Sequence, residues 1–117
     1  SATKQKTLTL LGSTGTIGQN TLKIIAAHPD RFALSALVAR DNVKLLAEQA
    51  TQFKPKRAVI ANPEQYDTLK SALSGSGIEC AAGEAAVLEA AAMPADIVMS
   101  AIVGAAGLKP TLAAIRK

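Results

Sequence analysis

The residues best placed to do chemistry in this chain are Gly12, Gly15 and Gly18, with two residues between neighbours, directly after the apolar run Leu8-Thr9-Leu10-Leu11. A strand that stops on such a turn and runs into a helix presents unbonded backbone N–H groups at the helix N-terminus. That arrangement suits a pyrophosphate. Gly12 lets the chain turn sharply, Gly15 leaves no side chain between backbone and phosphate, and Gly18 lets the helix approach the sheet. The helix end adds roughly half a positive charge, and Ser13, Thr14 and Thr16 offer hydroxyl donors. No Gly-Lys-Ser/Thr follows, which excludes a Walker-type loop. The same residues also read as a plain glycine-rich turn. Their place between a buried strand and a helix, with a second strand–helix unit after them, favours a nucleotide.

The next chemically telling residues are Ala39-Arg40-Asp41-Asn42, where a second strand should end. An acidic residue at that place binds the ribose hydroxyls of NAD, whereas an arginine accommodates the 2′-phosphate of NADP. Arg40 can hold a phosphate and stack on adenine, and Asn42 can donate from its amide. Asp41 would repel a 2′-phosphate if it faced the ribose. Placed as a helix N-cap, its charge turns into the backbone. The cap reading and NADPH are therefore expected together, with Thr14, Gly15, Thr16, Ile17, Arg40 and Asn42 as the cofactor-binding residues.

These residues need a scaffold of alternating strands and helices. Apolar runs predict strands over residues 7–11, 32–39 and 57–60, a short extended piece over 78–81 and a strand over 96–102. Helices are expected over 16–27, from Asp41 or Asn42 to about 53, from Asn62-Pro63 to about 73, over 83–92, and from Pro110 onward. Alternation of this kind implies an α/β fold, a doubly wound, Rossmann-like parallel sheet with right-handed crossovers and helices on both faces. The final predicted helix runs into Ile115-Arg116-Lys117, and so the polypeptide is expected to continue beyond it.

Composition bounds the partners. In 117 residues, 49% are apolar but only 3% aromatic, so the core must be Leu, Ile, Val and Ala. The net charge of +4 has its densest cluster at Lys54-Pro55-Lys56-Arg57, with no stacking aromatics beside it, so nucleic-acid binding is not expected. No signal-peptide pattern opens the chain, and the apolar stretch 81–108 is broken by Glu84, Glu89, Pro94 and Asp96, which argues against a membrane span. Cys80 is the only cysteine, which suits a cytoplasmic setting and rules out an internal disulfide or multi-cysteine metal site. His28 beside Pro29 reads as an ordinary residue at a helix C-terminus, Cys80 as inert filler, and Glu84 and Glu89 as solvated. Neither a metal-ligand cluster nor a nucleophile–base pair is visible. The residues provide a nucleotide cradle without reaction chemistry.

Several segments together resemble one family: Leu11-Gly12-Ser13-Thr14-Gly15-Thr16-Ile17-Gly18 with Thr21-Leu22, His28-Pro29-Asp30-Arg31-Phe32, Ala36-Leu37-Val38-Ala39, Asn42-Val43, and above all Ala101-Ile102-Val103-Gly104-Ala105-Ala106-Gly107-Leu108-Lys109-Pro110-Thr111-Leu112. They are similar to the amino-terminal part of the 1-deoxy-D-xylulose 5-phosphate reductoisomerases, over nearly the whole chain. The resemblance implies rearrangement of that phosphosugar and its NADPH-dependent reduction to 2-C-methyl-D-erythritol 4-phosphate in the non-mevalonate isoprenoid route. It also implies a Mg²⁺ or Mn²⁺ ion and a homodimer. By the same resemblance Thr14, Gly15, Thr16 and Ile17 would touch the NADPH phosphates, residues 40–42 would border the 2′-phosphate, and the loop 101–107 would pass near the nicotinamide. Many members carry Gly-Lys where this chain has Arg40-Asp41, so Arg40 takes over the lysine's role. The family's Ala-Asn-Lys-Glu segment, metal ligands and substrate-phosphate residues lie beyond Lys117. Residues 1–117 thus read as an NADPH-binding domain, truncated relative to the full enzyme and inactive by itself.

Other readings make different demands. A semialdehyde dehydrogenase would need a catalytic cysteine elsewhere, and the segment Val103–Leu108 speaks against it. A stand-alone nucleotide-sensing module would need a capped final helix. A receiver-type signalling domain would need acidic residues where Gly12 and Ile60-Ala61 stand.

Overall fold

A computed structural model describes residues 5–101 and the strand Thr111–Ile115. In chain order the elements are β1 (Lys6–Leu11), α1 (Thr16–Ala27), β2 (Phe32–Ala39), α2 (Val43–Phe53), β3 (Arg57–Ile60), a 3-10 turn (Pro63–Gln65), α3 (Tyr66–Ala72), β4 (Glu79–Ala82), α4 (Glu84–Ala92), β5 (Ile97–Ser100) and β6 (Thr111–Ile115). They form one sheet of order β4-β3-β2-β1-β5-β6. The first five strands in that order run parallel, and β6 pairs antiparallel with β5. The doubly wound α/β architecture is as expected from the sequence.

Residues 111–115 correct one expectation. The sequence predicts a helix from Pro110, but Thr111–Ile115 is a strand, with Met99 opposite Leu112 and Ser100 opposite Thr111. Leu112, Ala113 and Ala114 favour a helix, but propensity over five residues is a weak preference, and the outer side of β5 offers a row of N–H and C=O groups that an extended segment satisfies.

Helices cover both faces. On one face Leu22 and Ile25 of α1, Leu46 and Ala50 of α2, and Leu69 of α3 pack on Leu8, Leu10, Leu34, Leu37 and Ile60. On the other, Ala86 and Ala90 of α4 pack on Ala36, Val38 and Val59. Small side chains there let α4 lie close to the sheet. Leu10, Leu37, Leu46, Ile60 and Leu69 are fully buried, each worth about 1.5–3 kcal/mol by removal from water.

The central strand pair carries an irregularity that explains why β2 does not alternate. Leu8 faces Leu34 but Thr9 faces Ala36, so Ser35 is the extra residue of a bulge. Leu34 and Leu37, three apart, therefore share one core face, while Ala36 and Val38 serve the other. At the amino ends of β1 and β5, Asp96 Oδ2 accepts from the Thr7 N–H at 2.9 Å, and the Asp96 N–H donates to Thr7 Oγ1 at 3.0 Å. This reciprocal pair fixes the register of the two strands whose carboxyl ends flank the glycine turn.

Candidate functional site

At the carboxyl end of the sheet β1 stops at Leu11, and Gly12 adopts φ 86°, a conformation open to glycine and costly for other residues. The N–H groups of Gly12 and Ser13 both donate to the Val38 carbonyl, at 2.7 and 3.0 Å, which folds the turn back over β2. The Gly15 N–H donates to the Gly12 carbonyl at 3.3 Å. Helix α1 then begins with Gly15 at its N-cap and no side chain capping it. Among the described residues no acceptor meets the N–H groups of Thr14, Thr16 and Ile17. This is the donor set that an anion at a helix N-terminus uses.

The three glycines separate into distinct jobs. A Cβ at Gly18 would lie 2.2 Å from the Gly12 carbonyl oxygen and 2.7 Å from Ser13 Cα, an impossible overlap with backbone. Gly18 is therefore demanded by the fold. A Cβ at Gly15 would meet only the Gly12 oxygen, at an ordinary 3.7 Å, and its φ of −77° is open to any residue. Nothing inside the chain requires glycine at 15. The space it keeps clear lies outside, where a phosphate held by the neighbouring N–H groups would sit.

That space belongs to a groove of about 600 Å³ lined by Gly12, Thr14, Gly15, Thr16, Ile17, Val38, Ala39, Arg40, Ala61, Glu84, Val87 and Ala101. Five of the six residues expected to hold the cofactor (Thr14, Gly15, Thr16, Ile17 and Arg40) come together there. Asn42 does not line it. Its Oδ1 accepts from the Leu45 N–H at 3.2 Å and caps α2, which leaves its Nδ2 as the end available to a ligand at the rim. Asp41 is not the cap; its carboxylate accepts from Asn62 Nδ2 at 3.1 Å instead. The reason is positional, since Asn42 is the residue immediately before the first helical turn. The contribution expected of the Ser13 hydroxyl is also corrected: Ser13 is fully buried, and the turn aims its Oγ into the interior.

Sequence reasoning missed the far wall. Ala39, Ile60 and Ala82 stand in register at the ends of β2, β3 and β4, so the loops that follow open side by side onto the groove. Glu84 and Val87 line the groove with the glycine turn because α4 packs back across the sheet over Ala36, Val38 and Val59, with Val87 and Leu11 against the same cluster. Only the topology brings α4 there. Of the predicted loop 101–107, Ala101 alone falls among the described residues; it is buried, donates to the Leu11 carbonyl at 2.7 Å and closes the groove on the β5 side.

The remaining candidates have ordinary partners. The His28 N–H closes α1 on the Ile25 carbonyl. Burial pushes the Cys80 thiol pKa up, against a smaller opposing effect of the Lys70 charge, so the reactive thiolate is suppressed. Arg57, from the basic cluster, pairs with Glu79 at 2.6 Å and Glu89 at 3.3 Å. Among the described residues no group of three or more His, Cys, Asp or Glu side chains could hold a metal, and no helix is long and apolar enough to cross a membrane.

Comparison with known proteins agrees with this geometry. Residues 8–117 match the family model of 1-deoxy-D-xylulose 5-phosphate reductoisomerase. The enzyme of that name from Rhodospirillum centenum is 57% identical over 112 residues, covering 96% of this chain and 28% of the relative. That from Zymomonas mobilis is 55% identical, covering 96% and 29%. A solved structure of the Zymomonas mobilis reductoisomerase in complex with NADPH superposes with a TM-score of 0.84 at 50% identity, over 86% of this chain and 27% of that one. A structure of the reductoisomerase with NADPH, fosmidomycin and magnesium gives 0.78 at 36% identity, over 88% and 26%. This chain spans little more than a quarter of the length of these relatives. The turn at Gly12–Gly18, the sheet order and the match over residues 8–117 lead to one conclusion: the chain belongs to the 1-deoxy-D-xylulose 5-phosphate reductoisomerase family.

Proposed function

We propose that residues 1–117 are the NADPH-binding domain of a 1-deoxy-D-xylulose 5-phosphate reductoisomerase, an enzyme that converts its phosphosugar to 2-C-methyl-D-erythritol 4-phosphate in the cytoplasm as a homodimer. The observation that carries this reading is the uncapped turn at Thr14–Ile17, with free N–H groups beside a position where glycine serves no internal purpose. The diphosphate lies on the N–H groups of Thr14, Thr16 and Ile17, with the Thr14 and Thr16 hydroxyls beside it and Gly15 leaving room. The partial positive charge of the α1 N-terminus offsets part of its double charge.

From there the adenosine half runs toward β3 and β4, over the apolar floor of Val38, Ala39 and Ala61. Arg40 stands at the end of β2, where NADP-binding sites place an arginine, and no carboxylate among the described residues pairs with it. Asp41, drawn to Asn62, does not oppose the 2′-phosphate. Asn42 Nδ2 donates at the same rim. The nicotinamide half runs the other way, past Ala101 and β5. When bound, the nicotinamide supplies the hydride; this chain's residues bind and orient it. The divalent ion of the family finds no ligand set among the described residues, and no step here runs through it.

Titration followed by the fluorescence of the reduced nicotinamide tests this reading. NADPH should bind the chain at least tenfold more tightly than NADH, and Arg40→Glu should reverse or erase the difference. Equal loss of both cofactors in Arg40→Glu would refute the 2′-phosphate assignment.

A further inference from the structure

One buried contact near the groove has no role in the binding just described. Gln49, on α2, is 6% exposed, and its Nε2 donates to the carbonyl oxygen of Ser13 at 2.9 Å. The amide's NH₂ end must be the one on Ser13, because a carbonyl oxygen only accepts. A buried glutamine is costly to keep, and this one leaves its own Oε1 without a partner among the described residues. It spends its donor on a loop carbonyl of a different strand–helix unit, thirty-six residues away in sequence.

The consequence follows from peptide geometry. The Ser13–Thr14 peptide is planar and trans, as are all the peptide bonds described, so its C=O and N–H point in opposite directions. Gln49 holds the C=O from the interior side, where Ser13 is fully buried. The Thr14 N–H on the same plane is thereby aimed outward, and Thr14 lines the groove. The next carbonyl is pinned as well: Gln19 Nε2 donates to the Thr14 oxygen at 2.9 Å from the first turn of α1. The Thr14–Gly15 peptide is also held through its N–H on the Gly12 carbonyl at 3.3 Å, whereas the Ser13–Thr14 peptide has the Gln49 donor as its one bond among the described residues.

We infer that Gln49 is a positioning residue for the cofactor's diphosphate, acting by fixing the Ser13–Thr14 peptide so that the Thr14 N–H faces the anion. It links the second strand–helix unit to the phosphate site of the first. The inference rests on the proposed binding of NADPH at this turn and adds a residue that does not touch the ligand.

Amide NMR of the ¹⁵N-labelled chain, titrated with NADPH and separately with inorganic pyrophosphate, tests it. In the unaltered chain the Thr14 N–H resonance should move downfield with either ligand. In Gln49→Leu that movement should be lost while those of Thr16 and Ile17 remain, and NADPH affinity should fall roughly ten- to a hundredfold, the worth of one hydrogen bond to a charged group. Gln49→Glu separates positioning from loss of packing. Its carboxylate cannot donate, but its protonated form can, so NADPH affinity relative to the unaltered chain should recover as pH falls through the glutamate's titration. A Gln49→Leu variant that melts earlier yet binds NADPH as tightly, with Thr14 still shifting, overturns the inference and leaves NADPH binding standing. Absence of NADPH binding in the unaltered, folded chain overturns both.

Discussion

The two ends of the sheet each carry a groove of similar size, about 600 Å³ at the carboxyl end and about 510 Å³ at the amino end. Only one reads as a binding site. The amino-end groove is lined by Gln5, Pro29, Phe32, Phe53, Lys54 and Lys56 among others, beside the last residues of α1 and α2. Helix C-termini present carbonyls, and both of these are closed by the chain itself, with the N–H groups of His28 and Lys54 donating to Ile25 and Ala50. The carboxyl-end groove faces the N-terminus of α1, whose donors are left open. In a parallel sheet every crossover helix starts at the carboxyl end of a strand, so the positive helix ends gather on one side. The polarity of the backbone, more than the volume of the hollow, decides where an anion goes.

Substitutions at the two ends should break the symmetry of size and expose the asymmetry of function. The largest effect is expected from Gly18→Ala. Its Cβ falls within 2.2 Å of the Gly12 oxygen, so the turn and α1 must separate. Thermal or urea unfolding should show a loss of about 1–3 kcal/mol, as for overpacked cores, and NADPH binding should vanish. Gly15→Ala should behave oppositely. With its Cβ in ordinary contact and φ at −77°, stability should hold or rise by a few tenths of a kcal/mol, while NADPH affinity drops at least tenfold. The smallest effect is expected from Lys56→Glu at the amino end, which should leave NADPH affinity unchanged within about twofold at moderate salt, since the groove it borders lies beyond a Debye length of ~8 Å from the turn.

The same contrast explains what could be read from the sequence. Strands β1 and β2 and helices α1 and α2 follow from local apolar periodicity, a capping residue at 41 or 42 and the stop at Pro29, all short-range signals, although the cap preferred there, Asp41, gives way to Asn42. The glycine turn is equally local, so type and spacing were enough to single out Thr14 through Ile17 and Arg40, which line one groove, as the residues proposed to hold the cofactor. β6 was not, because Thr111–Ile115 becomes a strand only through the edge that β5 offers it. Glu84, Val87 and Gln49 were illegible for the same reason: the sheet order places them, and no pattern near them in sequence announces a ligand. Ser13 shows the reverse error. A hydroxyl in a phosphate motif looked like a donor, and the turn buries it because both its own N–H and that of Gly12 are drawn back onto Val38.

Crystals of the chain grown with NADPH give the most direct test. The diphosphate should rest within hydrogen-bond distance of the Thr14, Thr16 and Ile17 N–H groups, with the 2′-phosphate at Arg40. Clear density for the dinucleotide at any other surface, with this turn left bare, would contradict the account.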